Sequence, residues 1–340
     1  MLLHMNFAFS IHVNTIMKKY QLKNEYTNNC FKQLIAFVFC ALLCFQCASQ
    51  GDGPRSNLLS PKGLWGVNAK WINMNQNITP SGNILLKDAD IKVNVFPIAV
   101  FHTFQIKGQL AQITALIVPG KTTGTLYAQN QSLSSSASGI SDGFLGLKVG
   151  LIGAPALDLT SFAKKKPGFS MSGFLRVWYS GTYDADKVIN MGTNRAAFQM
   201  MLPMSMPIGK NTAMPFWLEV VPAIEFYTTN NEPASYANAD KATQQPVASV
   251  ESHLTKNITP KFWAGIGIRY YYGGEQKLDG VPQDNVLNIA SFGLGLGFQP
   301  LPMLSFNASY ANVWWGYNNA QTRMWRIATV YTIFEKESKG

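Results

Sequence analysis

The chain has 340 residues, of which 47% are hydrophobic and only 14% charged, with a formal net charge of +10. A soluble domain averages about 25% charged residues, so this composition is lean in charge for one. No apolar run beyond the N-terminus is long enough for a spanning helix, and the basic residues are scattered, which argues against a helical membrane bundle and against a nucleic-acid-binding stripe.

Leu34 to Phe45, LIAFVFCALLCF, has the length of a signal-peptide core and is too short to span a bilayer comfortably. Lys18, Lys19, Lys23 and Lys32 precede it, and Cys47-Ala48-Ser49 supplies small residues for cleavage. Residues 1–49 are therefore read as an export signal, with Met17 as a competing start of the frame. All four cysteines, Cys30, Cys40, Cys44 and Cys47, fall within it, so the expected mature chain has no disulfide and no thiolate metal site. A lipid anchor on Cys44 or Cys47 fits poorly, because Leu42-Leu43 and Phe45-Gln46 lack the small residue that precedes a lipidated cysteine. Residues 50–62, containing Asp52-Gly53-Pro54-Arg55, read as a polar periplasmic leader.

From residue 63 the pattern is alternation with a period of two. Gly63 to Met74 places Trp65, Val67, Ala69 and Trp71 on one face. Ile91 to Ile106 follows, with Pro97 marking a bulge or an edge, and then Gln109 to Val118. Gly120 to Ser138 is rich in Ser and Gly and reads as a long connection. Leu145, Leu147, Val149 and Leu151 alternate with Gly146, Lys148 and Gly150. Phe169 to Ser180, Ala196 to Met206, Phe216 to Phe226, Val247 to Lys256 and Phe262 to Tyr272 repeat the pattern. Asn288 to Pro302 is its clearest instance: Ala290, Phe292, Leu294, Leu296 and Phe298 oppose Ser291, Gly293, Gly295, Gly297 and Gln299. A strand seldom fills one face with glycine unless something needs the space. Leu304 to Trp314 and Met324 to Phe334 complete about twelve segments, an even number of the kind bacterial membrane barrels use. Short turns alternate with long connections, which puts both termini on the periplasmic side. Gly153 to Pro167 is the exception, a long connection where a short one is expected.

The expected fold is thus all-β: an antiparallel transmembrane β-barrel of about twelve strands over residues 63–334, followed by a tail at 335–340. It belongs in the outer membrane of a Gram-negative bacterium, with lipid as its outer partner. If the apolar faces meet lipid, the opposite faces line the lumen. That places Lys148, Arg176, Trp178, Trp217, Glu219, Glu225, Glu251, His253, Trp263, Arg269, Tyr271 and Arg326 inside. Charges of both signs in a confined lumen can select a permeating solute, and the aromatic rings can stack one; the same groups can equally well pair with one another and fill a narrow barrel. Ser252 and His253 cannot form a nucleophile and base pair, since adjacent strand residues point to opposite faces. Asp184, Asp186 and Asn190 lack the spacing of a calcium loop and read as a hydrogen-bonded turn. No cofactor and no catalysis are expected.

The order of motifs resembles the outer-membrane family named for the meta-pathway of phenol degradation. The residues that carry the resemblance are Asp52-Gly53-Pro54-Arg55, Ser138 to Gly143, Gly153-Ala154-Pro155-Ala156-Leu157, Phe262-Trp263 and Tyr272-Gly273-Gly274. The most specific is Gly181 to Arg195, GTYDADKVINMGTNR. The resemblance implies an outer-membrane barrel that passes small, apolar or aromatic, compounds. Three readings stand open at this point: a passive channel with binding in the lumen, a barrel closed by its own side chains with a structural or surface-interaction role, and a soluble periplasmic β protein, which predicts recovery without detergent.

Overall fold

The computed structural model describes residues 52–80, 82–128, 131–209 and 214–335. The proposed export signal at 1–49 and the tail beyond Glu335 lie outside the described residues. In chain order the elements are β1 (Leu64–Gln76), β2 (Ala89–Val95), β3 (Ile98–Ile106), β4 (Gln109–Ala128), β5 (Gln131–Ile152) and a short helix α1 (Leu159–Lys164). Then come β6 (Ser170–Tyr179), β7 (Ala197–Met201), β8 (Met204–Ile208), β9 (Phe216–Tyr227), β10 (Ala242–Gln244) and β11 (Val247–Asn257). The remainder are β12 (Phe262–Gly273), β13 (Gln276–Leu278), β14 (Val281–Pro282), β15 (Leu287–Leu301), β16 (Leu304–Gly316) and β17 (Thr322–Phe334).

Fourteen of these strands form one antiparallel sheet. It closes where β1 pairs with β17 along its whole length, from Leu64↔Phe334 to Gln76↔Thr322. Two membrane strands are each split by a proline, β2/β3 at Phe96-Pro97 and β7/β8 at Leu202-Pro203; counting each split pair once gives a closed barrel of twelve strands. Proline cannot donate to the ladder, and the neighbours adapt: Lys70 N–H donates to the Pro97 carbonyl and Ser172 N–H to that of Pro203. The first break follows from the sequence pattern. The second coincides with Pro222 on the adjacent strand, whose carbonyl accepts from Leu202 N–H.

The alternation sorts as the period requires. Leu145, Leu175, Ile268, Leu296 and Ile327 are exposed on the outside, a continuous apolar surface that in water would be a large liability and that lipid accommodates. Aromatic residues with polar handles stand at both ends of this band, as interfacial belts do. Trp65 Nε1 donates to Glu335 at 2.8 Å near one end, and Trp71 Nε1 donates to Asn94 at 2.7 Å and Tyr270 Oη to Asn288 at 2.8 Å near the other. The glycine face of β15 is explained by what occupies it. A Cβ on Gly297 would overlap the Trp263 indole, and one on Gly295 would lie 2.8 Å from Pro54.

Four connections carry more structure than the sequence reading gave them. Gly120 to Ser138 is not a loop: β4 and β5 pair without a break from Val118↔Ser141 to Ala128↔Gln131. That hairpin lacks the lipid alternation because its Thr and Ser side chains pair across the strands, as Thr125 and Ser134 do at 2.9 Å. Gly153 to Pro167 carries α1, capped by Asp158, and is tied to the first turn and to the leader: Ala156 N–H donates to Gly108 O, and Lys62 N–H to Leu157 O. The long connections after β9 and β12 are also ordered, with β10, β13 and β14 joined in a separate three-stranded sheet.

Candidate functional site

The lumen is filled at two levels. The level toward the short turns is charged, and its organiser is the leader. Within the leader at 50–62, residues 52–57 are inside the barrel, whereas Lys62 lies at the short-turn end, its N–H donating to Leu157 O. Asp52 takes a 2.5 Å ion pair from Arg176, Gly53 N–H donates to Glu251 at 3.2 Å, and Arg55 N–H donates to Glu219 at 2.7 Å. Arg55 Nε donates to Thr255 at 3.0 Å, and its guanidinium lies 4.9 Å over the Trp263 ring. Gly53 packs so closely on Arg326 that any side chain there would overlap the guanidinium. Burial pushes the Asp52 carboxyl up, but the cations Arg176 and Lys70 more than offset this and hold it below its usual 3.8.

The strand residues around the leader pair with one another, although Arg176 Nε and Arg269 Nε are left without a hydrogen-bond partner. Glu251 accepts from His253 at 2.6 Å and pairs with Arg269 at 3.7 Å. Arg176 is held between Phe144 and Phe174, at 4.4 and 4.3 Å, and donates to Gln199 at 3.2 Å. Arg326 Nε donates to Ser309 at 2.9 Å. Glu219 is 1% exposed, so its carboxylate depends on the leader's backbone N–H groups for compensation.

All twelve residues placed in the lumen by alternation are on the inner face, but they do not form one site. Arg176, Glu219, Glu251, His253, Trp263, Arg269 and Arg326 surround the leader. Lys148 and Trp178 pack on Phe174 and Phe144, at 6.0 and 4.9 Å. Trp217 is half-buried opposite Pro207, near the turns. Glu225, which accepts from Gln199 at 2.8 Å, and Tyr271, which packs on a second apolar cluster, stand toward the loops. Alternation also predicts Lys70 and Thr255 on the inner face, and they are there; the participation of Asp52 and Arg55 carries no strand signal. Ser252 and His253 point to opposite faces.

The level toward the long loops is apolar. Met74, Ile91, Val93, Val95, Val118 and Met324 from the wall meet Ile189 and Met191 from the connection after β6. That connection is pinned inward by Asp142. Its Oδ1 accepts from Gly181 N–H at 2.9 Å and Thr193 N–H at 3.1 Å, and its Oδ2 from the Thr193 hydroxyl at 2.8 Å. Asp184, Asp186 and Asn190 form the expected turn, with Asn190 Oδ1 accepting from Asp184 N–H at 2.8 Å. Above this layer the loops form an open-sided cavity of about 490 Å³, lined by Ile84, Leu86, Ile91, Leu126, Val188 and Ile189 together with Tyr183, Tyr236 and Arg195.

A closed twelve-stranded barrel with a lipid-type exterior, a filled lumen and a cavity at its loop end defines a transmembrane β-barrel of the outer-membrane class. Within that class, residues 75–324 match the model of the family described as the MetA-pathway of phenol degradation, and the chain belongs to that family. The fold is shared with an outer membrane channel from Pseudomonas putida F1, at a TM-score of 0.68 and 15% identity over 83% of this chain and 99% of that one. It is also similar to the transport unit of the autotransporter AIDA-I from Escherichia coli, at a TM-score of 0.50 and 9% identity over 83% and 93% of the two chains. No curated protein matches the sequence.

Proposed function

We propose that the protein is a channel in the outer membrane of a Gram-negative bacterium that passes small apolar solutes, aromatic ones included, passively and without chemical turnover. The observation that carries this reading is the loop-end cavity, concave and mainly apolar on its inner side, standing directly over an apolar layer within the barrel. A solute leaving water there meets apolar side chains such as Ile84, Leu86, Ile91 and Val188 along part of the wall. The family's name and the shared fold with a channel of Pseudomonas putida F1 support the reading. The lumen-facing cations, carboxylates and rings then act as the inner lining along which the solute is screened.

The second reading, a closed barrel with a structural or surface-interaction role, is favoured by one observation: residues 52–57 occupy the charged level of the lumen. Current through a planar bilayer separates the two. The channel reading expects small, steady current from the natural protein and a several-fold rise when Asp52→Ala and Arg55→Ala remove the leader's side-chain contacts. Silence from both proteins, each showing the heat-dependent gel shift of a folded barrel, establishes the closed barrel instead.

A further inference from the structure

Among the residues lining the loop-end cavity, Arg195 stands apart. It is 6% exposed, and its Nε has no hydrogen-bond partner. One terminal nitrogen donates to Gln244 Oε1, and the guanidinium lies 4.7 Å over the Tyr227 ring. A guanidinium carries five N–H donors and stays charged, so burying it with a donor unmet is costly unless an acceptor arrives. The nearby carboxylates, Asp142 and Glu225, make their hydrogen bonds to neutral groups, Asp142 to Gly181 and Thr193 and Glu225 to Gln199, and neither bonds the Arg195 guanidinium directly. Lys87, the other cation on the wall, is paired with Asp284 at 2.6 Å, while Asp88 lies at the exposed rim. The same cavity is lined by Leu86, Ile91, Leu126 and Val188, with Thr193, Asn230 and Gln276 among its polar groups. The cavity volume of about 490 Å³ lies within the roughly 300–1,000 Å³ of small-ligand sites.

We propose that this cavity binds a small apolar acid, an aromatic or short-chain carboxylate, with its body against Leu86, Ile91 and Val188 and its carboxylate on Arg195. The planar fork of the guanidinium matches a carboxylate edge, and the Tyr227 ring beneath it holds the fork in place. The site rests on the channel reading only for its biological use; binding itself does not require passage.

The test uses the full barrel in lipid nanodiscs, with benzoate and the uncharged benzyl alcohol as probes and saturation-transfer NMR as the readout. A charge-assisted bond makes benzoate bind roughly tenfold tighter than the alcohol. Arg195→Gln is expected to abolish that preference, and Arg195→Lys to keep part of it. Equal affinity of the natural protein for both probes, or a preference that survives Arg195→Gln, overturns the proposal. Should Arg195→Gln fail to fold, Leu86→Trp fills the cavity with Arg195 in place and must abolish binding of both probes; retained benzoate binding puts the anion elsewhere and overturns it. Saturable benzoate binding without any bilayer current would sink the channel reading and leave the site standing, whereas current without a benzoate preference does the reverse.

Discussion

The two halves of the lumen are built on opposite principles within one wall. Toward the loops, Met74, Ile91, Val93 and Met324 meet Ile189 and Met191 in an apolar layer, with Asp142 and Arg195 buried at its margin. Toward the turns, Glu219, Glu251, Arg176 and Arg326 are buried against residues 52–57, and nearly every contact is a hydrogen bond or an ion pair. The apolar layer is held by burial, which is non-directional and tolerates a change of shape. The charged layer is held by pairing, so removing one member leaves its partner uncompensated. One barrel thus combines a tolerant apolar layer with a stiff charged one.

The sharpest way to break this contrast is Glu251→Ala. It strips His253, Arg269 and the Gly53 N–H of their shared acceptor and should cost about 4 kcal/mol. Loss of the unboiled gel band at lower urea would show it, and an unchanged midpoint would mean that the cluster is not held by pairing. In the other half, Met191→Ala should cost about 3 kcal/mol by the cavity it leaves while leaving ionic current nearly unchanged. An increase in current equal to that of the leader variants would show that the two levels are not separate barriers. The smallest effect is expected at the hairpin tip outside both levels: Ser134→Ala removes the bond to Thr125 and should cost less than roughly 1 kcal/mol in the same urea assay.

The wall was legible in the sequence because lipid imposes one rule on every strand. Alternation in Asn288 to Pro302 gave both the outward phenylalanines and leucines and the inward glycines, and the request for space by those glycines was answered by Trp263 and Pro54. Pro97 announced its own break. The β4/β5 extension was missed because strands beyond the bilayer need no apolar face; the runs of Thr and Ser that pair there look like a linker when read one chain at a time. The leader was missed for a different reason. Asp52 and Arg55 are polar residues in a non-repeating stretch, and their partners lie on strands that begin more than a hundred residues later, so nothing local announces where they go. Asp142 and Arg195 fall within segments that carried the family resemblance, yet their roles appear only once the connection after β6 folds back between the strands.

The leader's continuity with β1 has a kinetic consequence. Only a few residues separate Asn57 from Leu64, so the segment that fills the charged level is a ligand tethered beside its own receptor, present at an effective concentration on the order of millimolar. A molecule crossing that level competes with an occupant that never diffuses away.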